Sequence, residues 1–511
     1  MNYMFYKIFH TLVLSVIPAL TLYSNNLDRV SFSETIIPML VILSASLTGL
    51  WVIHRLTRNI ECSALIVTIW LVVILNFAPI WMLLIFLTQT IFSPTKFAIC
   101  LILCSVLTSY FIIRRRWAGQ LVIKFLNTLA TSLIVFLIAG LVYRGFVSLD
   151  TEKIELTDNP FASTIAENEH YPDVYYIITD SYTGNNILKE KFEYDNSGFT
   201  NFLEEKGFYV AYNSRSNYCS TDLSLSCSLN MSYLNLIDGN RKSYNSVEHQ
   251  ISLIHNSRVR RILEKIGYKS IAFSSGYLVT DFKDFDTFFT DSIINKEFLD
   301  VLLCSTIFPY LELPFFNLTV VQTDSHRHKI KRALTEMPRI KKTDSPVFVL
   351  VHIVCPHAPF VFGKNGEELV PKYFSYADGN SWIGEKSLYK KSYAKQVEYL
   401  NTMLKDCINK LMQDTVRDKI ILLQADHGSG LGHHYTDIDQ CDLNDRFSIL
   451  NAIYLPDKDY RRFYQELSPV NNFRLVLGKI LGKQAELLED RSFYSPSCQR
   501  FDFVDVTERL E

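Results

Sequence analysis

The stretch Ile420–His434 has the sequence IILLQADHGSGLGHH, a run of branched apolar residues that ends on Asp426, His427 and Gly428. Short apolar runs bounded by turn residues are typical of buried β-strands. Such a strand is usually followed by simple turn residues, whereas an aspartate and a histidine bring charge and metal-binding capacity to its end. The pattern therefore indicates a metal site, a proton relay or an ordinary loop, and other parts of the sequence are needed to choose among them.

Residues 1–145 are dense in Leu, Ile, Val and Phe, whereas the rest of the 511-residue chain has a mixed composition. A helix needs about 20 apolar residues to cross a bilayer core, so we predict a transmembrane domain of about five helices here. The predicted spans are 8–24, 36–53, 63–91, 97–113 and 122–143. Pro79 lies inside the long third span, which is expected to kink, to tilt or to form two short passes. A cleaved signal peptide would account for one apolar segment but not for five.

Positive charges orient these spans. Lys7 precedes the first span, Arg55 and Arg58 follow the second, and Arg114–Arg116 follow the fourth. Because Lys and Arg concentrate in short cytoplasmic loops, five spans with a cytoplasmic N-terminus account for all three clusters, and six spans do not. We therefore expect a multi-pass protein of the inner or plasma membrane in which everything after Tyr143 is extracytoplasmic.

Charge and cysteine content limit the remaining possibilities. The formal net charge is −2 and the chain has no long basic run, so nucleic acid is not an expected partner. Seven of the ten cysteines follow the predicted spans. An extracytoplasmic location permits disulfides, and Cys219 and Cys227 are close enough in sequence to be a candidate pair. The sequence contains no CxxC pair, which argues against a zinc ribbon.

The part of the chain after the spans has the pattern of an α/β domain. We expect 146–171, a polar segment, to be a linker and 172–511 to be one globular domain. Strand-like runs are 174–179, 208–212, 268–273, 347–353, 419–425 and 449–455, and helical patterns include 257–267 and 392–414. Strands that alternate with helices favour a mostly parallel sheet covered on both faces.

Ligands bind at the carboxyl ends of the strands in such sheets, so the strand ends are the places to search. Three strand ends carry reactive side chains: Asp180 follows the first strand, His352 lies near the end of the fourth, and Asp426 with His427 follows the fifth. Oxygen and nitrogen ligands without thiolate suit zinc, manganese or magnesium. A lone aspartate at a strand end is more often a helix N-cap, and His352 is more often structural, but the joint occurrence favours a metal site.

A nucleophile for such a site is expected in the hydroxyl-rich segment 216–234. Thr221 and Ser224 are candidates, together with Ser220 and Ser226. A hydroxyl is a weak nucleophile until a metal or a base activates it. From composition alone, a Ser/Thr-rich helix start with a capping hydroxyl explains this segment better.

Five motifs that occur in order then indicate a family. They are PDVYYIITDSY, NYCSTDLSLSCSLN, HIVCPHAPFVF, LLQADHGSG and RFSILNAIYLP. Together they resemble the sulfatase-like branch of the alkaline phosphatase superfamily, over about residues 172–495. More narrowly, the chain resembles its bacterial membrane-anchored group, which includes lipoteichoic acid synthases and the phosphoethanolamine and phosphoglycerol transferases. The resemblance implies an alkaline-phosphatase-like α/β fold, in which a mostly parallel sheet is flanked by helices and preceded by an N-terminal multi-span helical membrane domain.

The resemblance also implies roles for particular residues. The implied ligands of one divalent metal ion are Asp180, Thr221, Asp426 and His427, although lipoteichoic acid synthases have Glu at the first position. Thr221 resembles the threonine that attacks the substrate. His357, in PHAPF, and either His433 or His434 resemble histidines that contact the substrate, and Arg446 is a weaker candidate for a residue that faces the site. The segments CSTDL and CSLNM lack the Pro and Arg of a formylglycine motif, so no formylglycine is expected.

The function that the resemblance implies is metal-dependent phosphotransfer or hydrolysis at a membrane. The expected reaction moves a phospho-headgroup from a lipid donor to an envelope glycan or lipid through a covalent intermediate on Thr221. Two alternatives stay open: a catalytically inactive envelope regulator that binds lipid, and a hydrolase of sulfuric esters.

Overall fold

The computed structural model describes residues 3–26, 30, 32–88, 90, 93–115, 119–148, 160–161, 171–236, 247–290, 296–311, 317–341, 344–382, 384–496 and 501–510. The chain divides into two compact units. The first unit comprises residues 1–153 and 292–321, and the second comprises 154–291 and 322–511. Most of the predicted linker, 146–171, lies outside the described residues.

The first unit contains six N-terminal helices and one that comes from much later in the chain. These helices are α1 (Tyr3–Ser24), α2 (Phe32–Thr57), α3 (Ile60–Leu75), α4 (Phe77–Thr88), α5 (Pro94–Arg115), α6 (Gln120–Ser148) and α12 (Lys296–Ser305). Four of them, α1, α2, α5 and α6, are long and apolar enough to cross a membrane. The pair α3 and α4 counts as a fifth candidate span if it is treated as one. By length and composition, the described residues thus contain four or five candidate spans, and the transmembrane domain of about five helices stays a prediction.

The predicted third span is the bent pair α3 and α4, whose axes differ by 71°. Pro79 explains the break, because a proline has no N–H and its ring clashes with the carbonyl of the residue four positions earlier, here Leu75. The kink expected from the sequence is therefore present, as two separate helices.

The second unit is built on a seven-stranded sheet with the strand order β2-β7-β6-β1-β5-β3-β4. The strands are β1 (Asp173–Thr179), β2 (Tyr209–Val210), β3 (Lys269–Phe273), β4 (Thr287–Phe289), β5 (Val347–Ile353), β6 (Lys419–Ala425) and β7 (Asn451–Tyr454), with a separate pair β8 (Phe493–Tyr494) and β9 (Val504–Asp505). Strands β6, β1, β5, β3 and β4 pair in parallel, whereas β7 and β2 pair antiparallel at one edge. The mostly parallel α/β sheet predicted from the sequence is confirmed.

Helices cover both faces of this sheet. They are α7 (Asn185–Phe192), α8 (Ser197–Glu205), α9 (Thr221–Asn230), α10 (Val247–His255), α11 (Arg258–Lys265), α13 (Leu318–Glu336), α14 (Lys386–Gln413), α15 (Leu443–Phe447) and α16 (Pro469–Leu481). The central strand β1 is buried over its whole length, and its alternate residues enter two different cores. Tyr175 and Ile177 pack in the core that contains α14, and Tyr176 and Ile178 pack in the core that contains α9 and α16.

Two sequence-based expectations about this unit were wrong in detail. The run 208–212 forms only the two-residue edge strand β2, because Ala211 begins a turn closed by a Ser214 N–H to Ala211 bond of 3.2 Å. Cys219 and Cys227 do not form the candidate disulfide. Both are buried free thiols that belong to different apolar clusters.

At the amino end of the sheet, the fully buried carboxylate of Asp173 joins three segments. Its Oδ1 accepts hydrogen bonds from the Val347 backbone N–H at 3.0 Å and from the Arg417 guanidinium at 3.1 Å. It therefore connects the starts of β1 and β5 to the loop before β6.

We expect Asp173→Ala to destabilise the second unit by about 1–3 kcal/mol, because the buried Val347 N–H loses its acceptor and the Arg417 guanidinium, which also donates to the Ser345 and Asp344 carbonyls, loses its carboxylate partner. The melting temperature of the purified protein in detergent measures this effect. Asp418→Ala, an exposed aspartate beside Arg417, is the matched control and should melt like the wild type. Equal melting temperatures for the two variants would contradict this role of Asp173.

Candidate active site

The parallel register brings the predicted site residues to one edge of the sheet. Ile178 of β1 lies opposite His352 of β5 and Gln424 of β6, so the next positions place Asp180 and Asp426 side by side at the carboxyl end. Ligand atoms of Asp180, His352 and Asp426 all lie within 4.8 Å of one another, and all three side chains are buried.

Three polar atoms of this cluster have no hydrogen-bond partner among the described residues: Asp180 Oδ1, Asp426 Oδ2 and His352 Nε2. A buried carboxylate oxygen without a donor is costly, and buried charges in proteins are normally paired or bound to metal ions. Two such oxygens beside a ring nitrogen form a hard donor set without thiolate, which fits a divalent cation. The residues present therefore fit the metal ion that the sequence predicts.

His427 and Thr221 complete the predicted ligand set. His427 Nε2 lies 3.3 Å from Asp426 Oδ2, 3.8 Å from Asp180 Oδ1 and 3.2 Å from Thr221 Oγ1. Tetrahedral coordination with bonds of about 2.0–2.2 Å separates ligand atoms by roughly 3.3–3.6 Å. The three separations, each measured from His427 Nε2, are close to that range, whereas the ligand atoms that lie within 4.8 Å of one another are those of Asp180, His352 and Asp426. The ligand set Asp180, Thr221, Asp426 and His427 therefore stays a prediction.

Hydrogen bonds fix the orientation of the His427 ring and of the Asp426 carboxylate. His427 Nδ1 donates to the Gly428 carbonyl at 2.9 Å, which leaves the Nε2 lone pair directed at the cluster. Burial, reinforced by the Arg446 cation, lowers the pKa of His427, so the ring is neutral as a metal ligand requires. Asp426 Oδ1 accepts from the Ser181 and His427 backbone N–H groups at 2.9 and 2.8 Å, and its Oδ2 faces the site.

The loop after β6 is tight enough to require glycine. A Cβ on Gly428 would lie 2.0 Å from the Asp445 carbonyl oxygen, and one on Gly430 would lie 1.9 Å from Asp378 Oδ2. Because neither position has space for a side chain, the two glycines allow the Asp426–His427 pair to turn against neighbouring segments.

Thr221 is the first residue of α9, and its side chain is 8% exposed. Helix N-termini bind anions because their backbone N–H groups and the helix dipole favour negative charge. The hydroxyl therefore lies where an anionic group would be favoured, beside the Nε2 atom of His427. Ser224, the other main candidate, donates to the Asp426 carbonyl at 2.5 Å and is fully buried, so it is occupied structurally.

His357 lies at the same edge, and its ring faces a carboxylate that sequence reasoning missed. Its backbone N–H donates to the Asp180 carbonyl at 3.1 Å, its Nδ1 donates to the Ala358 carbonyl at 2.5 Å, and its Nε2 lies 3.5 Å from Asp378 Oδ2. Burial lowers the pKa of His357, but the charges of Asp180 and Asp378 outweigh burial, and the net shift is upward. His357 therefore favours the protonated form.

Asp378 gave no signal in the sequence, because it lies in an irregular loop away from every strand end. Its Oδ1 accepts from the Tyr389 hydroxyl at 2.7 Å, and Oδ2, which faces His357, has no hydrogen-bond partner among the described residues. The same oxygen occupies the space beside Gly430. Asp378 thus connects α14, the loop after β6 and His357.

The sequence left the choice between His433 and His434 open, and the two rings have different surroundings. His433 is buried, lies 3.4 Å from Cys441 Sγ through Nδ1, and packs its ring on Tyr435. Burial, with Arg446 and His427 as smaller causes, lowers the pKa of His433 well below its ordinary value. His434 Nδ1 instead accepts from the Asp437 backbone N–H, and its Nε2 lies 3.2 Å from the Asn380 amide. These surroundings do not decide between the two histidines, and both stay predicted substrate-side residues.

The structure also shows what surrounds His352 and Arg446. His352, which was expected to be structural, places Nε2 3.5 Å from Asp180 Oδ2, while its Nδ1 shares a 2.7 Å hydrogen bond with Thr280. Arg446 is 3% exposed, donates to the Cys219 carbonyl at 2.8 Å and balances the local carboxylates.

Burial alone raises the pKa of Asp180, but His357, His352 and His427 together hold it below its ordinary value.

A comparison with known families identifies the family of this chain. The sulfatase family model matches residues 172–467, which is more than half of the chain. The chain belongs to the sulfatase family. The resemblance inferred from the five motifs is confirmed, and with it the expectation of an enzyme that transfers or hydrolyses phosphoryl or sulfuryl groups.

Solved structures similar to this sulfatase-family protein include two phosphoethanolamine-transferase structures and a hydrolase. The periplasmic domain of EcEptC from Escherichia coli has 10% identity and a TM-score of 0.45, over 68% of this chain and 96% of that chain. Lipooligosaccharide phosphoethanolamine transferase A, an integral membrane protein from Neisseria meningitidis, has 12% identity and a TM-score of 0.38, over 92% and 95%. The phosphonate monoester hydrolase of Agrobacterium radiobacter has 13% identity and a TM-score of 0.38, over 63% and 80%. Among the curated proteins, no relative matches this chain.

If Asp180, Thr221, Asp426 and His427 share a cation, Asp426→Asn should remove it. The asparagine amide is neutral and lacks the negatively charged oxygen that Asp426 Oδ2 offers to the cation. We expect about one divalent ion per wild-type chain and a loss of most of it in the variant, by elemental analysis of the purified protein. His434→Ala is the matched control and should retain the ion. Full metal content in Asp426→Asn would contradict the ligand assignment.

A second prediction concerns Asp445, a fully buried carboxylate that accepts from the Ser429 hydroxyl at 2.6 Å. Burial raises its pKa to about 7. Because the folded-state pKa lies above the unfolded-state value, the folded protein binds the proton more tightly, and stability falls as the pH rises from about 4 to 7. Asp445→Asn should therefore raise the melting temperature relative to the wild type more at pH 8 than at pH 5. The exposed Asp439→Asn variant is the control, and a pH-independent difference for Asp445→Asn would count against this coupling.

Proposed function

We propose that this protein is a membrane-anchored phosphotransferase that moves a phospho-headgroup from a lipid donor to an envelope glycan or lipid, with Thr221 as the nucleophile. The observation that carries the proposal is the position of Thr221. Its hydroxyl is at a helix N-terminus, 3.2 Å from the unprotonated Nε2 of His427 and beside two carboxylates with unpaired oxygens. A hydroxyl in this setting is suited to attack on phosphorus rather than to helix capping, since Ser220 occupies the N-cap.

Asp180, Thr221, Asp426 and His427 would hold one divalent metal ion. When bound, such an ion lowers the pKa of a coordinated hydroxyl and polarises a phosphoryl oxygen. The backbone of this chain also contributes: the N–H groups at the α9 N-terminus would orient the anionic group, and the glycine turn at Gly428 and Gly430 holds Asp426 and His427 in place.

In the first half-reaction, Thr221 Oγ1 forms a bond to phosphorus as its proton leaves to solvent. The bond between phosphorus and the donor alcohol oxygen breaks. His357 donates a proton to this leaving oxygen, a role supported by the upward shift of its pKa. The products are a phosphodiester on Thr221 and a neutral lipid alcohol.

In the second half-reaction, an acceptor hydroxyl attacks the same phosphorus and the bond to Thr221 Oγ1 breaks. His357, now neutral, takes the proton of the acceptor, and the leaving Thr221 Oγ1 takes a proton from solvent, so both groups return to their starting states. An alcohol acceptor makes the protein a transferase, whereas water makes it a hydrolase. The N-terminal helices support a lipid donor, because candidate membrane spans would keep the catalytic chain at a lipid surface.

The surroundings of Cys219, two residues before Thr221, favour phosphoryl transfer over hydrolysis of sulfuric esters by a formylglycine. Cys219 is buried, its Sγ contacts Ser495, and burial raises the pKa of the thiol. The segment that follows it also lacks the Pro and Arg of the formylglycine motif. An unmodified Thr221 hydroxyl is therefore the better nucleophile.

The test is the intact mass of the detergent-solubilised protein after incubation with a mixed lipid extract. We expect an added mass on the wild type that maps to Thr221 and names the transferred group, and no added mass on Thr221→Ala. Thr221→Ser should retain part of the labelling because it keeps a hydroxyl. Ser220→Ala is the matched control and should be labelled like the wild type. Full turnover of a phosphodiester substrate by Thr221→Ala would exclude this mechanism.

A further inference from the structure

Residues 296–311 depart from the rest of the sulfatase region. They lie inside the 172–467 family match, yet they pack in the first unit with the N-terminal helices. The chain therefore passes between the two units three times, after Lys153, Asp291 and Val321. A segment of the sequence that matches the sulfatase family is thus a structural part of the first unit.

The first contact of this segment is with the break between α3 and α4. Pro79 has no N–H to offer the Leu75 carbonyl, and the bend separates the last turn of α3 from α4. The Ile307 backbone N–H donates to the Ile74 carbonyl at 2.9 Å. The Ser305 hydroxyl donates mainly to the Leu302 carbonyl of its own helix at 2.6 Å and reaches the Leu75 carbonyl at 3.3 Å. Donors from a distant part of the chain therefore satisfy the open end of α3.

The second contact is apolar and involves both ends of the segment. Phe298 and Leu302, one turn apart on α12, are buried in one cluster with Ala19 of α1 and Val30. Ile307 is buried with Val73, Phe77 and Ala98, and the Tyr310 ring lies 4.8 Å from that of Phe77 and 5.9 Å from that of Trp81.

Unsatisfied backbone carbonyls in a bilayer core cost several kcal/mol each, so non-helical breaks there persist only where protein groups satisfy them. A segment that supplies a backbone donor and a shared hydroxyl at the break, and that buries three apolar side chains, is firmly attached. We propose that residues 296–311 are a second anchor of the catalytic chain, which closes the broken helix α3–α4 and holds the chain to the first unit independently of the 146–171 linker. The inference rests on the membrane location under the proposed function, but it does not depend on the reaction.

The test begins with a full-length chain that carries an N-terminal affinity tag and a specific protease site within 149–159. After cleavage in detergent, we expect the C-terminal fragment to stay with the tagged fragment, because 296–311 remains packed among the spans. Phe298→Asp with Leu302→Asp should release the C-terminal fragment. Val301→Asp, on the exposed face of the same helix, should not. Release from the wild type, or equal retention of all three proteins, would overturn the proposal.

A second measurement avoids any substitution in an apolar cluster. The wild-type sequence receives protease sites within 291–295 and 312–316, and the tagged material is analysed by mass spectrometry after cleavage. We expect about one equivalent of the 296–311 peptide to remain bound through a detergent wash. Loss of the peptide would contradict an anchor. Because neither measurement uses turnover, a failure of the Thr221 chemistry is recorded separately by the adduct experiment.

Discussion

The close approach of the Asp180 and Asp426 carboxylates is the constraint on which the catalytic unit depends. Both are buried at the carboxyl edge of a parallel sheet, and each leaves one oxygen without a hydrogen-bond donor in the described part of the chain. Strand pairing between β1 and β6 holds them together although their charges repel. The surrounding positive and neutral groups, Arg446 and three histidines, are arranged around this pair, and a bound cation would complete the charge balance.

The same arrangement explains the residue types of the neighbouring loops. His427 keeps its Nε2 lone pair free because the Gly428 carbonyl takes the Nδ1 proton. The loop can make that turn only without side chains at Gly428 and Gly430. Asp378 then occupies the space beside Gly430 and reaches His357. The positions of the Asp180–Asp426 pair, the glycine turn and His357 therefore depend on one another. A change at one of them alters the others.

Sequence reasoning identified the central strands and the strand-end residues because both depend on local patterns. Residues 347–353 and 419–425 were predicted with their observed limits, since buried parallel strands are continuous apolar runs. Asp180, Asp426 and His427 followed from the rule that chemistry gathers at strand ends. Asp378 could not be found in this way, because its role depends on a contact across 21 residues of loop to His357. The position of α12 depends on a partner more than 200 residues away, which no local pattern encodes.

The bond from Ser305 to Leu75 joins residues 230 positions apart, and this separation has a consequence for biosynthesis. Chains emerge at about 5–20 residues per second, so α3 and α4 leave the ribosome roughly 10–50 s before the segment that closes their break. During that interval the carbonyls of Ile74 and Leu75 need temporary partners, from water, lipid headgroups or the insertion machinery. The first unit is thus the first part of the protein to be synthesised, but it cannot be completed until more than half of the chain has been made.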